Sequence, residues 1–136
     1  MRLRHIKGAE QLIEESPFVI HSPEENKGRW REVFGNDHPI EIEVGMGKGK
    51  FIMDLAAAHP DINYLGVERY SSVLLRALQK RSQLELANIF FLCIDAKEMA
   101  DYFAPGEISR IYLNFSDPWP KDRHAKRRLT SPVFLE

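Results

Sequence analysis

The chain has little cysteine and no long apolar run. Its single cysteine, Cys93, has no partner for a disulfide within the chain, and it lies in an apolar run at residues 88–94, where a buried small hydrophobic side chain is expected. No apolar stretch approaches the roughly eighteen residues of a membrane span. The basic N-terminus is followed by no hydrophobic segment of the kind found in signal peptides. These absences exclude a disulfide-stabilised scaffold and predict a cytoplasmic protein in a reducing compartment.

Net charge is also nearly absent. The 136 residues include 19 lysines and arginines against 20 aspartates and glutamates, a formal net charge of −1, so the overall balance does not indicate a nucleic-acid-binding protein. The charges are unevenly distributed along the chain, because residues 121–128 carry five positive charges and one negative charge. The five histidines, at positions 5, 21, 38, 59 and 124, show no ligand spacing with each other or with Cys93, so we predict no metal site.

The chain divides into a weakly patterned first part and a strongly patterned second part. Residues 1–38 are predicted to form a basic N-terminal arm, with a short helix at 9–15 and a second helix at 26–34. We expect this arm to contribute little to the core. The main domain is predicted to cover residues 39–136.

Strand and helix patterns alternate from residue 39 onward. Ile40, Ile42 and Val44 alternate with two glutamates and run into a glycine-rich turn, which indicates a first strand. Three further strands are predicted at residues 62–68, 88–94 and 110–115, with helices at 48–59, 70–86 and 95–103. This alternation predicts an α/β fold, with a parallel sheet, helices on both faces and right-handed crossovers.

Each predicted strand ends in residues that are able to bind a ligand. Glu43 and the glycines end the first strand, Glu68 the second, Asp95 the third and residues 114–117 the fourth. Ligands of open parallel sheets bind in the crevice outside the carboxyl ends of the strands, so we expect these groups to surround one crevice. Each acid has a simpler alternative as a helix cap or a solvated loop charge, and for Asp95 that alternative stays open.

The spacing of the glycine turn selects among ligands. Gly45, Gly47 and Gly49 alternate with other residues, which matches neither the G-x-G-x-x-G of dinucleotide-binding folds nor the G-x-x-x-x-G-K-[ST] of phosphate-binding loops. Together with Glu43, the turn reads E-x-G-x-G-x-G. This pattern resembles the first-strand motif of class I S-adenosylmethionine-dependent methyltransferases, which have a Rossmann-like fold.

That resemblance implies roles for the residues at the strand ends. Glu43 and the three glycines would contact the cofactor, S-adenosylmethionine, through the close approach of the backbone to its amino-acid part. Glu68 falls where the family's second-strand acid binds the ribose hydroxyls. A carboxylate suits this role, since its two oxygens can accept from two O–H donors. Asp95 falls where the third-strand acid meets the adenine amino group.

Residues 114–128, NFSDPWPKDRHAKRR, are the most informative segment of the chain. They closely resemble the N-x-x-D-P-W-P-K-x-R-H-x-K-R-R signature of the bacterial tRNA (guanine-N7)-methyltransferases, a resemblance that covers residues 39–136 and several residues of the arm. It implies that a methyl group is transferred from S-adenosylmethionine to N7 of guanine 46 in the variable loop of tRNA.

The same resemblance makes Asp117 the catalytic residue and a cofactor contact, and Lys121 a substrate contact. On charge alone the basic segment is either a solvated loop or the binding site of an acidic polymer, since repelling cations add little to folding. Phosphate contacts from these side chains would position tRNA without reading its sequence. The predicted tRNA contacts are Lys121, Arg123, His124, Lys126, Arg127 and Arg128.

Several alternatives stay open. A class I methyltransferase sheet normally has seven strands and only four are predicted, so we expect a C-terminally incomplete fold with an uncovered edge beside the fourth strand and a helix after the basic segment. The chain is then either an enzyme or a non-catalytic RNA-binding fragment of the same fold. An amino methyltransferase acting on adenine or cytosine, and a dinucleotide-dependent oxidoreductase, are further alternatives. The sequence does not indicate an oligomeric state, monomer or homodimer.

Overall fold

The structure, a computed structural model, describes residues 8–113 and a short strand at residues 129–130. The strands are β1 (Ile40–Val44), β2 (Asn63–Val67), β3 (Ile89–Leu92), β4 (Arg110–Leu113) and β5 (Leu129–Thr130). The α-helices are α1 (Ala9–Glu14), α2 (Trp30–Phe34), α3 (Lys50–Ala58) and α4 (Ser71–Arg81). Two 3-10 helices span Pro23–Asn26 and Ala96–Asp101.

The strands form a single sheet in the order β3-β2-β1-β4-β5. The first four strands along the chain are parallel to one another, as the alternation of strands and helices predicts. β1 lies in the middle, with Glu43 opposite Gly66 on one side and Tyr112 on the other. The carboxyl ends of β1, β2 and β3 therefore lie next to one another.

Beside β4 the prediction is wrong. We expected an uncovered edge, whereas Leu129 and Thr130 pair with β4 in antiparallel orientation. An unpaired strand edge offers free backbone N–H and C=O groups, and this two-residue strand occupies part of that edge. The helix expected after the basic segment falls on residues 132–136, which lie outside the described residues.

Hydrophobic cores lie on both faces of the sheet, which confirms the predicted layers. Period-two alternation in each strand sends successive side chains to opposite faces. The core on the side of α1, α3 and α4 includes Ile13, Val19, Ile52, Met53, Leu74, Leu78, Ile89 and Phe91. The core on the opposite side includes Trp30, Ile40, Ile42, Leu65, Val67, Leu92, Met99, Phe103 and Ile111.

The N-terminal arm contributes more to the core than the sequence suggests. Trp30 is fully buried, with its indole N–H donating to the Tyr102 carbonyl at 2.8 Å. The Phe91 N–H donates to the Phe18 carbonyl at 2.8 Å, and the Ile20 N–H donates to the Phe91 carbonyl at 2.9 Å. The arm therefore extends the sheet beyond β3. The expectation of little core was wrong, because the partners of this segment lie more than 70 residues away along the chain and leave no local pattern.

The predicted helix at 26–34 is also corrected. A 3-10 helix ends at Asn26 and α2 begins only at Trp30. Between them Gly28 has a left-handed backbone with a φ of +80°. The Glu107 carboxylate accepts from the backbone N–H groups of Gly28, Trp30 and Ala104, each at 2.9 Å. This carboxylate fastens the interrupted segment to the loop that precedes β4.

The other helices lie where they are predicted but are shorter. The helix expected at 70–86 ends at Arg81, whose guanidinium donates to the carbonyls of Leu84 and Leu86 and stabilises the turn that leads to β3. The helix expected at 95–103 is a 3-10 helix with Asp95 at its N-cap. Within the described residues, no helix is both long and apolar enough to cross a membrane.

Candidate functional site

The glycine turn lies at the carboxyl end of β1 and is tied to β2 by its backbone. The N–H groups of Gly45 and Met46 both donate to the carbonyl of Val67, at 2.9 and 3.0 Å. All three glycines of the turn have left-handed φ angles, +77° at Gly45, +61° at Gly47 and +82° at Gly49. L-residues with a side chain rarely adopt such angles, so the turn requires glycine at these positions.

Gly47 and Gly49 serve the turn in different ways. A Cβ added to Gly47 would meet no atom within 4 Å, so this residue faces open space. A Cβ on Gly49 would lie 2.7 Å from Met53 Cε and 3.4 Å from Ala77 Cβ. Gly49 therefore permits close packing of α3 on α4, whereas Gly47 has open space beside its backbone.

Glu68 is bonded to the glycine turn through its carboxylate. It directly follows β2 and is only 6% exposed. One carboxylate oxygen accepts from the N–H of Gly47 at 3.0 Å, and the other from the N–H of Tyr70 at 3.1 Å. Burial raises the pKa of Glu68, while these two hydrogen bonds and the nearby Arg69 oppose that rise. The side chain thus holds the glycine turn against the end of β2.

Glu43 is more deeply buried than Glu68 and Asp95. It is fully buried near the carboxyl end of β1, on the opposite face of the strand from Ile42 and Val44. The alternation that marks β1 in the sequence thus places Glu43 on the face that carries α3. Its neighbours in register are Gly66 and Tyr112.

Asp95 is held more loosely, at the end of the loop after β3. Its Oδ1 accepts from the N–H of Lys97 at 3.1 Å, so the helix-cap alternative holds in the structure. Its Oδ2 lies 3.8 Å from Arg69 Nη1, and the Asp95 side chain is 32% exposed. Because a carboxylate has about four acceptor sites, capping leaves capacity for a ligand.

Sequence reasoning missed Arg69 and Tyr70, which follow Glu68 directly. The Arg69 guanidinium carbon lies 4.8 Å from the Tyr70 ring centroid, and Tyr70 is 44% exposed. The only signal in the sequence was their position next to a strand-end acid. Cys93 lies nearby with Sγ 3.8 Å from the Arg69 carbonyl; it is half-buried, and burial raises the pKa of its thiol.

The structure thus brings together the glycine turn, Glu43, Glu68 and Asp95 at the ends of three adjacent strands. Within residues 8–113, no group of three histidine, cysteine or carboxylate residues is placed to hold a metal ion. The remaining predicted site residues lie outside the described residues: Asn114, Asp117, Lys121, Arg123, His124, Lys126, Arg127 and Arg128.

Comparison with known families agrees with this geometry. A family model described as putative methyltransferase matches residues 37–136. The chain belongs to this methyltransferase family. The matched residues include the glycine turn, all three acids and the whole basic segment, so the family and the Rossmann-like methyltransferase fold predicted from the sequence are confirmed.

Relatives with curated names are similar over nearly the whole chain. A tRNA (guanine-N(7)-)-methyltransferase of Lachnoclostridium phytofermentans is 61% identical over 135 residues, which are 99% of this chain and 63% of the relative. One of Geobacillus sp. is 59% identical, covering 100% of this chain and 62% of the relative. One of Streptococcus sanguinis is 54% identical and covers 99% and 64%. The chain thus spans somewhat less than two thirds of these relatives.

Solved structures show the same fold. The antibiotic-resistance methyltransferase Kmr superposes with a TM-score of 0.52 at 26% identity, over 65% of this chain and 47% of that one. An antibiotic-related methyltransferase superposes with a TM-score of 0.53 at 24% identity, over 68% and 47%. In both cases the likeness covers about half of the other chain.

Proposed function

We propose that this methyltransferase transfers a methyl group from S-adenosylmethionine to N7 of guanine 46 in the variable loop of tRNA. The observation that carries the proposal is the joining of the glycine turn to Glu68 at the carboxyl end of the sheet, through the 3.0 Å hydrogen bond from Gly47. The names of the relatives that are 54–61% identical support the choice of substrate.

The described residues fit S-adenosylmethionine. Gly47 faces open space beside β1. A side chain at this position would occupy the space that a ligand needs to approach the backbone. Two carboxylates follow the next strands, Glu68 after β2 and Asp95 after β3, and they suit the hydroxyl and amino donors of an adenosine. When bound, S-adenosylmethionine supplies a methyl group on a positively charged sulfur.

The chemistry at guanine requires orientation more than proton transfer. Guanine N7 has an in-plane lone pair and carries no proton, so the reaction needs no base to expose the nucleophile. Correct alignment of two reactants supplies several kcal/mol of a barrier. We assign this task to Asp117, which would accept N–H bonds from the guanine and offset the positive charge that develops on the ring.

The basic segment supplies the proposed contact with tRNA. Its five cations within residues 121–128 directly follow Asp117-Pro-Trp-Pro in the sequence. Lys121, together with the arginines, His124 and Lys126, would contact phosphates, so binding of tRNA should weaken steeply as salt rises. A tRNA substrate and a single free thiol both favour a cytoplasmic location.

The test is transfer of labelled methyl groups. We would incubate the purified chain with methyl-labelled S-adenosylmethionine and unmodified tRNA, then map the label to a base and atom. Asp117→Ala should abolish the label and leave cofactor binding largely intact. The control, Asp101→Ala, removes an exposed carboxylate of the 3-10 helix and should keep the activity.

Other results point to other functions. Label on an exocyclic nitrogen of adenine or cytosine would replace the proposal with an amino methyltransferase. Salt-sensitive binding of tRNA with no binding of S-adenosylmethionine would indicate a non-catalytic RNA-binding fragment. Tighter binding of NAD than of S-adenosylmethionine in a calorimetric comparison would favour an oxidoreductase.

A further inference from the structure

We propose that Arg69 is a positioning residue for the adenosine end of the cofactor, and that it acts by orienting the Asp95 carboxylate. The inference rests on the proposed function, since it takes S-adenosylmethionine as the ligand of the crevice. It concerns two side chains at the rim of that crevice, and it assigns a role to a residue that sequence reasoning passed over.

The two oxygens of Asp95 are held by different groups. Oδ1 accepts from the backbone N–H of Lys97 at 3.1 Å, and Oδ2 lies 3.8 Å from Arg69 Nη1. The 3.8 Å contact is too long for a hydrogen bond, but the positive charge favours the orientation that keeps Oδ2 toward Arg69. Arg69 therefore restricts the rotation of the Asp95 side chain before a ligand binds. Less conformational entropy is then lost on binding, which raises the affinity.

Arg69 is itself held in place by Tyr70. The guanidinium carbon lies 4.8 Å from the ring centroid, within the range of a cation–π contact. Without that contact the arginine side chain, which is 56% exposed, would sample many rotamers. Tyr70 in turn donates its backbone N–H to Glu68. The chain of contacts thus runs from the acid that follows β2 to the acid that follows β3.

The placement favours a role in binding over a role in folding. A half-exposed ion pair at 3.8 Å contributes little to stability. Arg69 lies close enough to Glu68 to influence its titration, and it pairs with Asp95. One cation thus lies near both carboxylates that would contact the adenosine.

The first experiment measures cofactor binding in the absence of tRNA. S-adenosylhomocysteine is titrated into the wild type, Arg69→Ala, Arg69→Lys and Arg76→Ala, where Arg76 is an exposed arginine of α4. We expect Arg69→Ala to weaken binding about threefold to fivefold, the range of a partly exposed charge pair. Arg69→Lys should lie in between, because an ammonium lacks the planar fork, and Arg76→Ala should match the wild type.

A second measurement separates positioning from a general loss of structure. If Arg69 acts through Asp95, Arg69→Ala has no further effect in an Asp95→Asn background, as a double-mutant cycle reveals. S-inosylhomocysteine, which has an oxygen in place of the adenine amino group, provides the second readout. The wild type should prefer the adenosine compound, and Arg69→Ala should lose part of that preference. If Arg69 had only a structural role, Arg69→Ala would weaken the binding of both compounds equally.

The outcomes distinguish this inference from the proposed function. Wild-type chain that binds S-adenosylhomocysteine, with Arg69→Ala binding it equally well, overturns the role of Arg69 alone. Additive effects of the two substitutions, or an unchanged preference between the two compounds, also overturn it. Wild-type chain that binds no S-adenosylhomocysteine overturns the cofactor assignment and the role of Arg69 together.

Discussion

The ends of β2 and β3, which are adjacent in the sheet, each carry one acid, but the two acids are held in different ways. Glu68 is 6% exposed and accepts two backbone hydrogen bonds, from Gly47 and Tyr70. Asp95 has a side chain that is 32% exposed, with one backbone hydrogen bond and a 3.8 Å ion pair. Glu68 is therefore a component of the fold, whereas Asp95 is attached to its surface.

Because of this difference, we expect Glu68 to affect mainly the stability of the fold and Asp95 mainly the affinity for the cofactor. Removing a buried acceptor leaves N–H groups without partners, which costs more than removing an exposed one. Substitutions at the end of β2 should therefore reduce the free energy of unfolding, and those at the end of β3 should reduce mainly the affinity for the cofactor.

The largest effect is expected for Glu68→Ala. The variant leaves the N–H groups of Gly47 and Tyr70 without their acceptor, so the free energy of unfolding should fall by about 2 to 4 kcal/mol. Urea unfolding followed by circular dichroism measures it, with Glu85→Ala, at an exposed position, as control. Equal unfolding midpoints for the two variants would show that Glu68 is not part of the fold.

Gly49→Ala should come next. The new methyl group would meet Met53 Cε at 2.7 Å on a backbone with a φ of +82°, which costs about 2 kcal/mol of stability. Gly47→Ala is the matched control, because its φ is also left-handed but its Cβ meets open space. It should cost about 1 kcal/mol and impair cofactor binding more than stability. If Gly47→Ala were the less stable of the two, the division of roles within the turn would be wrong.

Asp95→Ala should have a smaller effect on folding. Loss of the cap on the 3-10 helix lowers the free energy of unfolding by about 1 kcal/mol. The affinity of the variant for S-adenosylhomocysteine should fall by more than this loss of stability explains, since the ligand also loses its proposed contact with the carboxylate. Calorimetry and thermal unfolding of the same samples give both quantities. Loss of stability with unchanged affinity would reduce Asp95 to a helix cap.

The smallest effect is a dependence of stability on pH. Burial raises the pKa of Glu68 above its unfolded value, so the folded state keeps the proton to higher pH than the unfolded state. The resulting stability is fully present below the unfolded pKa of about 4.3 and is lost as pH rises through the folded pKa. Relative to Glu68→Gln, which does not titrate, the wild type should therefore lose stability from about pH 4 upward. A relative gain over that range, in urea unfolding at stepped pH, would mean that the pKa is lowered.

Periodicity predicted the strands well because their signal is local. The alternation around Ile42 and the apolar run that contains Phe91 each mark a segment that is buried on at least one face, and β1 and β3 lie there. The strand-end acids follow from the same signal. The pairing of Glu68 with the Gly47 N–H was not predictable, since the two residues are 21 positions apart and meet only when β1 and β2 align.

The N-terminal arm shows where local patterns fail. Its buried residues are scattered, with Ile13, Val19 and Trp30 far apart in the sequence, so no periodicity marks them. Each is buried by contacts with distant elements, and Trp30 stacks on Phe103 with ring centroids 5.1 Å apart. The same holds for two of the three backbone partners of Glu107, Gly28 and Trp30, which lie more than 70 residues away along the chain.

The sequence alone determined the parallel sheet and the acids at the strand ends, because hydrophobic alternation is a property of neighbouring residues. The methyltransferase family followed from the resemblance of the glycine turn and of residues 114–128 to known motifs. Only the tertiary structure decided that Glu68 is buried under the glycine turn and that Asp95 is paired with Arg69. Burial and pairing depend on which strands are adjacent. That adjacency results from packing between residues far apart in the chain, in the strand order β3-β2-β1.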